Sequence, residues 1–264
     1  MDLKIKDKLA LVTGSTQGIG RAIAQALAVE GARVIVNGRS EATVRATVEA
    51  LSRVGEAHGI AADLATADGA QTLIREAARI GEIEILINNV GYFEVKPFTD
   101  ISDEDWLAMF ELNVMSSVRM TRALFPGMLQ RNWGRVVFIA SEQSVKPNRD
   151  MLHYAMTKTA QVAIARGLAE STKGTGVTVN SVLAAPTWSE GVETFLGKIG
   201  SQTGNTLAGM RSAYFEGPGA TSLLQRWAEP EEIAAQVVFL CSEQAAAING
   251  AAQRVDGGII RSLF

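Results

Sequence analysis

The sequence predicts an α/β fold, with a doubly wound, seven-stranded parallel sheet and helices on both of its faces. Short apolar runs rich in β-branched residues alternate with longer stretches of helical period, which is the pattern of repeated βαβ units. Several of these runs are apolar at consecutive positions, as expected when helices cover both faces of a sheet. The composition, with 47% hydrophobic and 20% charged residues, allows a sizeable core.

Seven strands follow from the apolar runs, and helices are predicted between them. One helix is marked by Ser102, which is followed by three acidic residues that suit the positive end of a helix. Connections are short except for the glycine-rich residues 186–226, which we expect to form short helices joined by turns. A chain of this length is expected to form one domain over residues 1–264. The predicted strands are residues 9–12, 33–37, 58–62, 85–88, 136–140, 177–183 and 252–255.

Charge and cysteine content argue against several classes of protein. A net charge of −3 provides no basic field for nucleic acid or for an anionic membrane surface. Cys241 is the single cysteine of the chain, so an intrachain disulfide framework is excluded. With only two histidines in the sequence, a zinc site built from cysteine and histidine is implausible, and no metal is expected. No apolar run approaches the ~18 residues that span a bilayer, and the N-terminus lacks the pattern of a signal peptide. We therefore expect a cytoplasmic protein.

A glycine-rich turn follows the first predicted strand. The segment T-G-S-T-Q-G-I-G, residues 13–20, leads from that strand into a good helix. Such a turn lets the backbone approach a pyrophosphate, and the helix N-terminus supplies free N–H donors and a partial positive charge. The alternative is a tight turn between packed elements, because short glycine motifs also match by chance. The predicted cofactor contacts in this turn are Gly14, Ser15, Thr16, Gln17, Gly18, Ile19 and Gly20.

A possible catalytic pair follows the fifth predicted strand. Tyr154 and Lys158 are four residues apart, so on a helix their side chains share one face. An ammonium close to a phenol favours the phenolate and lowers the tyrosine pKa. Ser141 ends the fifth strand at the carboxyl edge of the sheet, where ligands bind in open α/β folds. Considered alone, Tyr154 and Lys158 could equally be an ordinary surface pair.

Three motifs together resemble the short-chain dehydrogenase/reductase family. They are T-G-x-x-x-G-I-G at residues 13–20, N-N-V-G at residues 88–91, where the family usually has alanine in third position, and Y-x-x-x-K at residues 154–158. The resemblance implies a single Rossmann-type domain and hydride transfer between NAD(P)(H) and a carbonyl or alcohol. It implies a catalytic tetrad of Asn113, Ser141, Tyr154 and Lys158. In this family the asparagine perturbs its helix and holds a water that links the lysine to solvent.

The end of the second strand favours NADP(H), with NAD(H) as the alternative. No acidic residue binds the ribose hydroxyls there, and Arg39 follows Gly38 with a guanidinium suited to a 2′-phosphate. Arg39 could also be a solvated loop residue, and Gln17 lends no support. Ala184-Ala185 stands where the family has Pro-Gly, which puts the nicotinamide-side contacts in doubt. The resemblance implies further cofactor contacts from Asp63, Leu64, Asn89, Gly91, Tyr154, Lys158, Pro186, Thr187 and Ser189.

We expect a small-molecule carbonyl or alcohol substrate beneath a lid formed by residues 186–226. The predicted pocket residues are Ser141, Gln143, Tyr154 and Trp188. The alternatives are a reductase of 3-oxoacyl thioesters on acyl carrier protein, a non-catalytic dinucleotide sensor and a cofactor-free lyase. Retention of the tyrosine, the lysine and the glycine turn argues against the last two. The resemblance also implies a homodimer or homotetramer, and the apolar tail of residues 259–264 is expected to pack on a neighbouring subunit.

Overall fold

The computed structural model describes residues 2–263, so the terminal Met1 and Phe264 lie outside the described residues. It confirms the predicted fold class. In this part of the chain, seven parallel strands form one sheet in the order β3-β2-β1-β4-β5-β6-β7. The strands are β1 (Leu9–Val12), β2 (Arg33–Gly38), β3 (Ala57–Ala61), β4 (Ile85–Asn88), β5 (Gly134–Ser141), β6 (Val177–Ala184) and β7 (Ala252–Val255).

Helices connect the strands, and their ends follow the capping signals in the sequence. Ser102 and Asp105 form a capping box at the start of α4, and Thr66 caps α3 through its hydroxyl. None of the helices within residues 2–263 is long and apolar enough to cross a membrane. The helices are α1 (Gly18–Val29), α2 (Glu41–Leu51), α3 (Ala67–Ile80), α4 (Asp103–Phe110), α5 (Ser116–Gln130), α6 (Leu152–Glu170), α7 (Glu190–Thr203), α8 (Leu207–Ala213) and α9 (Pro230–Cys241).

Helices on both faces explain why the strands are apolar at consecutive positions. In β1, Ala10 and Val12 face the layer that contains α1 and α9, whereas Leu9 and Leu11 face the layer that contains α3 and α5. Successive strand residues point to opposite faces, so both sets are buried. The two cores hold the sheet rigid, and its carboxyl edge carries the loops that form the candidate site.

The predicted strand bounds are accurate to within two residues, and the largest difference occurs in β5. This strand begins at Gly134 and Arg135, which do not look like strand residues in the sequence. The Arg135 guanidinium is buried because it donates to the carbonyls of Ser242 and Gly176 and lies over the ring of Trp133. These partners are distant along the chain, so the apolar pattern alone does not reveal this extension.

The described part of the C-terminal tail begins in the core of its own chain. Ile259 and Ile260 are buried with Ala140 and Leu183. The expectation that this tail packs on a neighbouring subunit is therefore wrong for these two residues, whose side chains are already covered. Leu263 is exposed.

Residues 186–226 form α7, α8 and a 3₁₀ turn at Tyr214–Glu216, as expected for short helices joined by turns. The segment contacts loops at the carboxyl edge of the sheet. The Lys146 ammonium donates to the carbonyl of Pro218 at 2.9 Å, and the Phe195 and Phe93 rings meet edge to face with centroids 5.3 Å apart.

Candidate active site

The glycine turn lies where the order of the strands reverses. β1 pairs with β2 on one side and with β4 on the other. The connections that follow β1 and β3 therefore run in opposite directions, which opens a crevice at the end of β1. Gly18 adopts a φ of +53°, which favours glycine. A Cβ on Gly20 would lie 2.3 Å from the Asn89 amide nitrogen, so this position has no room for a side chain. The backbone of the turn is therefore open to a ligand while its interior is closely packed.

Asn89 fixes the glycine turn to the end of β4. Its amide donates to the carbonyls of Thr13 at 2.9 Å and Gly14 at 3.0 Å. The neighbouring Asn88 donates to the Thr121 hydroxyl on α5 at 2.9 Å, because successive residues of a strand point to opposite sides of the sheet.

An anionic group already contacts the glycine turn. The Glu190 carboxylate, at the start of α7, accepts a hydrogen bond from the backbone N–H of Gly18 at 2.9 Å. This contact demonstrates that the helix N-terminus offers a donor to a negative charge, as a phosphate requires. The Ser15 hydroxyl is fully buried and donates to the Val12 carbonyl at 2.7 Å, so it stabilises the turn from within. The sequence did not single out Glu190.

An exposed arginine and a closely packed glycine lie at the end of β2. Arg39 is exposed, and it forms no ion pair with any carboxylate in the described residues. Gly38 is closely packed, since a Cβ there would lie 2.6 Å from a methyl of Thr16. Next to this site, the exposed Asp63 carboxylate accepts from the N–H of Ala65 at 3.1 Å, whereas the Leu64 side chain is buried in the core. Leu64 can therefore meet a ligand only through its backbone.

The segment after β6 is held by its own hydrogen bonds. The Thr187 hydroxyl donates to the Ala185 carbonyl at 2.8 Å, and the Ser189 hydroxyl caps α7. Pro186 lies partly buried between them and β6. Ala185 is not among the described residues with left-handed backbone, so the substitution of alanine for the family's glycine strains nothing here.

Lys158 is buried near Tyr154, and its ammonium is held by acceptors from other residues. The Lys158 ammonium donates to the Ile139 carbonyl at 2.8 Å and to Gln161 Oε1 at 3.0 Å, and it lies 5.7 Å from the centroid of the Tyr154 ring. Burial without a carboxylate partner lowers the pKa of Lys158 to about 8. Gly91 lies on the remaining side of the ammonium. A Cβ at this position would lie 3.3 Å from the Lys158 nitrogen, so the glycine keeps this space open.

Burial governs the pKa of Tyr154, and the residue that lowers it is Ser141 rather than the expected Lys158. Burial raises the pKa of Tyr154 above its ordinary value, and the nearby Glu142 carboxylate raises it further, while the Ser141 hydroxyl opposes the rise. The ammonium is directed towards backbone and amide acceptors, so desolvation of the phenolate dominates.

Asn113 lies in a π-helical turn between α4 and α5, at Glu111–Met115. Its amide bonds the backbone of Tyr92 in both directions and donates to the Thr157 hydroxyl at 3.0 Å. The Asn113 backbone carbonyl in this turn accepts a hydrogen bond from Gln161 Nε2 at 2.7 Å. Gln161 thus links Lys158 to Asn113 through direct hydrogen bonds.

Sequence analysis missed Gln161, although one signal was present. It is a fully buried glutamine three residues after Lys158, on the same face of α6. A polar residue on the core-facing side of a helix requires internal partners. Here the partners are the lysine and asparagine of the predicted tetrad.

A second missed residue is Glu142, which directly follows Ser141. A short hydrogen bond of 2.5 Å joins Ser141 Oγ and Glu142 Oε2, and Gln143 Nε2 donates to Glu142 Oε1 at 2.7 Å. The side-chain oxygen of Gln143, Oε1, accepts a hydrogen bond from the N–H of Asn148 at 2.7 Å. Both polar atoms of the side chain of this predicted pocket residue therefore have partners within the protein. Burial raises the pKa of Glu142 above its ordinary value.

Aromatic side chains surround Tyr154 on the lid side. Phe93 meets the Tyr154 ring edge to face, with centroids 6.1 Å apart. Trp188 packs against Trp227 at 5.6 Å, and the ring of Tyr214 packs on the other side of Trp227 at 4.5 Å. Trp188 therefore belongs to a lid cluster, and its predicted contact with substrate stays a prediction.

With this geometry established, known proteins identify the family. The family model for short chain dehydrogenase matches residues 8–196. The chain belongs to the short-chain dehydrogenase family. The uncharacterized oxidoreductase YvrD of Bacillus subtilis is 53% identical over 263 residues, covering 100% of both chains. The 3-oxoacyl-acyl-carrier-protein reductase FabG of Aquifex aeolicus is 33% identical, covering 98% of this chain and 100% of its own.

A solved structure is similar over the whole of this short-chain dehydrogenase. The L-sorbose reductase from Gluconobacter frateurii, complexed with NADPH and L-sorbose, has a TM-score of 0.94 at 30% identity and covers 100% of both chains. Its similarity extends through the lid. The protein is therefore an oxidoreductase that acts on CH–OH and C=O groups with NAD(P), and the bound NADPH of this relative supports binding of a nicotinamide dinucleotide.

Proposed function

We propose that this short-chain dehydrogenase reduces a ketone or aldehyde to an alcohol with NADPH, or catalyses the reverse reaction. One observation carries the proposal. The glycine turn, Arg39 and the group formed by Ser141, Tyr154 and Lys158 all lie along one carboxyl edge of the sheet. Groups that can donate hydrogen bonds to phosphates and a group that can donate a proton thus follow one another along this edge. An extended dinucleotide could lie along them.

The chain offers contacts along that path. Backbone N–H groups of residues 14–20 would hold the pyrophosphate, and the unpaired guanidinium of Arg39 would bind a 2′-phosphate. Asp63, the backbone of Leu64, Asn89 and Gly91 would flank the adenosine and the ribose. Pro186, Thr187 and Ser189 would meet the nicotinamide end. When bound, NADPH supplies the hydride that reduces the carbonyl carbon.

The protein's own groups would manage the proton. Ser141 and Tyr154 would hold the carbonyl oxygen, and the Tyr154 hydroxyl would donate its proton as negative charge develops on that oxygen. The Lys158 ammonium, held by Ile139 and Gln161, would stabilise the phenolate that remains. The residues around Phe93 and the lid would exclude water.

Residues 186–226 would form a lid over the site. The Phe195 ring of this segment meets Phe93, which in turn meets Tyr154, and its residue Glu190 contacts the glycine turn. We infer that it selects the substrate, and that 1–264 acts as one NAD(P)-binding domain. The sorbose reductase relative favours a ketose or another polyhydroxylated ketone for the panel below.

A 3-oxoacyl thioester is the second candidate, supported by the FabG relative. The acyl carrier protein would need a basic surface near the site. Arg135 is buried, and the exposed Arg131 donates to the Ile83 carbonyl and pairs with Glu82, so neither offers an unpaired positive charge to a carrier protein. The engagement of these two arginines favours a small carbonyl compound over a carrier-bound thioester.

The test is a substrate panel followed by absorbance of NADPH or NADH. It contains ketoses such as L-sorbose, keto acids, simple ketones and aldehydes, secondary alcohols, and acetoacetyl thioesters. We expect turnover with at least one ketone and faster reaction with NADPH than with NADH. Absence of turnover with every compound and both cofactors would contradict the proposal.

We also infer that the protein works as a homo-oligomer. Phe98 and Leu107 are 61% and 69% exposed, and Phe110 lies beside them at the end of α4. These apolar side chains suit a contact with a second copy. Size-exclusion chromatography with light scattering should give a dimer or tetramer, and a monomer would contradict this inference.

A further inference from the structure

Glu142 is a buried carboxyl directly behind the predicted catalytic serine. Its side chain is 4% exposed, and its two oxygens meet Ser141 and Gln143 at 2.5 and 2.7 Å. No lysine, arginine or histidine nitrogen in residues 2–263 lies within ion-pair distance of it. A buried carboxylate without a counter-ion is costly, and the neutral acid avoids that cost.

Three titratable groups face Glu142 from the elements around it. Lys146 lies farther along the same loop and weakly favours the charged form. Tyr154 from α6 and Tyr214 from the lid face it with hydroxyl groups, and the presence of its charge raises the pKa of both. Neither tyrosine can neutralise a carboxylate, so desolvation prevails and raises the pKa of Glu142.

The protonation state of Glu142 decides where the Ser141 proton points. A hydroxyl has one proton and two acceptor sites, and Ser141 Oγ already accepts from the N–H of Gln143 at 3.2 Å. If Glu142 is ionised, the Ser141 hydroxyl donates its proton in a hydrogen bond to Glu142 Oε2. If Glu142 is neutral, its O–H donates to Ser141 Oγ, which fills the second acceptor site. The serine proton is then free to face a substrate oxygen.

We propose that Glu142 is a positioning residue that is held as a neutral acid and, through Ser141, directs the serine proton towards the substrate oxygen. This role rests on the proposed carbonyl chemistry of the site. It predicts that reduction weakens as rising pH ionises Glu142, because Ser141 then has no proton to donate. Glutamine reproduces the neutral acid, since its amide nitrogen donates to Ser141 and its oxygen accepts from Gln143.

The first test requires no substrate. Infrared difference spectra of the purified protein, stepped from acid to alkaline pH, detect the C=O stretch of a protonated carboxyl. We expect this band to persist at neutral pH in the wild type and in Glu193→Gln, an exposed control on α7, and to be missing in Glu142→Gln. Carbon-13 labelling of glutamate in the wild type gives the same information if Glu142→Gln does not fold. A spectrum without the band at neutral pH would overturn the proposal.

The second test uses the compound that turns over fastest in the panel. We expect Ser141→Ala to lower kcat/KM for reduction by about 100-fold at every pH, the usual cost of losing one donor to a developing oxyanion. Glu142→Gln should keep most of the wild-type kcat/KM and remove one alkaline ionisation from the pH profile. Superimposable profiles for the wild type and Glu142→Gln would overturn the proposal. A wild type that shows the infrared band and reduces nothing would refute the proposed function instead.

Discussion

Replacement of Arg39 with alanine should weaken NADPH binding and leave NADH binding unchanged. The guanidinium is exposed and forms no ion pair in the described residues, so its removal breaks no internal contact and fold stability should change by less than about 0.5 kcal/mol. A hydrogen bond to a charged group contributes about 1.5–3 kcal/mol, and solvent exposure favours the lower half of that range. Since 1.4 kcal/mol is about tenfold, the Kd of NADPH should rise about 10- to 30-fold.

The assay is titration of each cofactor by fluorescence or calorimetry. Arg39→Lys, which keeps the charge but loses the fork, should fall between the wild type and the alanine variant. Arg53→Ala is the matched control, because Arg53 is also exposed but follows the far end of α2, at the amino edge of the sheet. Equal weakening of NADPH and NADH in Arg39→Ala would refute the assignment of this arginine to the 2′-phosphate.

Three further predictions concern groups that sequence analysis missed or misjudged. Glu190→Gln removes the negative charge that lies beside the N–H of Gly18, so the Kd of NADPH should fall about 2- to 10-fold. Glu193→Gln should leave this Kd unchanged, and weaker binding by Glu190→Gln would contradict the prediction. Gln161→Leu removes the hydrogen bond to the Asn113 carbonyl and leaves Ile139 as the remaining acceptor of the Lys158 ammonium, so thermal or urea unfolding should show a loss of about 1–3 kcal/mol; an unchanged stability would argue against the bridge. Lys158→Met should flatten part of the pH dependence of stability. The folded pKa of about 8 lies below the unfolded 10.5, so the unfolded state holds more protons between these values and stability rises with pH there in the wild type. Parallel curves of unfolding free energy for the two proteins from pH 7 to 10 would count against this.

The fold could be predicted because its determinants are local. Apolar β-branched runs mark the buried strands, and Ser102 and Asp105 mark the start of α4 through contacts three residues apart. The glycine turn and the spacing of Tyr154 and Lys158 are equally local, and the structure brings these residues to the carboxyl edge of the sheet.

The electrostatics of the site could not be predicted, because they depend on tertiary partners. The sequence brings Lys158 close to Tyr154, but it does not show that the Ile139 carbonyl and Gln161 compete for the ammonium. A glutamate in a loop is ordinarily solvated, and Glu142 is buried only because α6 and the lid enclose it.

The most direct test of the central claim compares the wild type with Tyr154→Phe. Turnover of NADPH is measured with the best carbonyl substrate of the panel, and NADPH affinity is measured separately by fluorescence. The phenol donates the proton in our account, so its removal should lower kcat at least about 100-fold and change the Kd of NADPH by less than about threefold. A Tyr154→Phe enzyme with wild-type turnover would contradict the proposed chemistry.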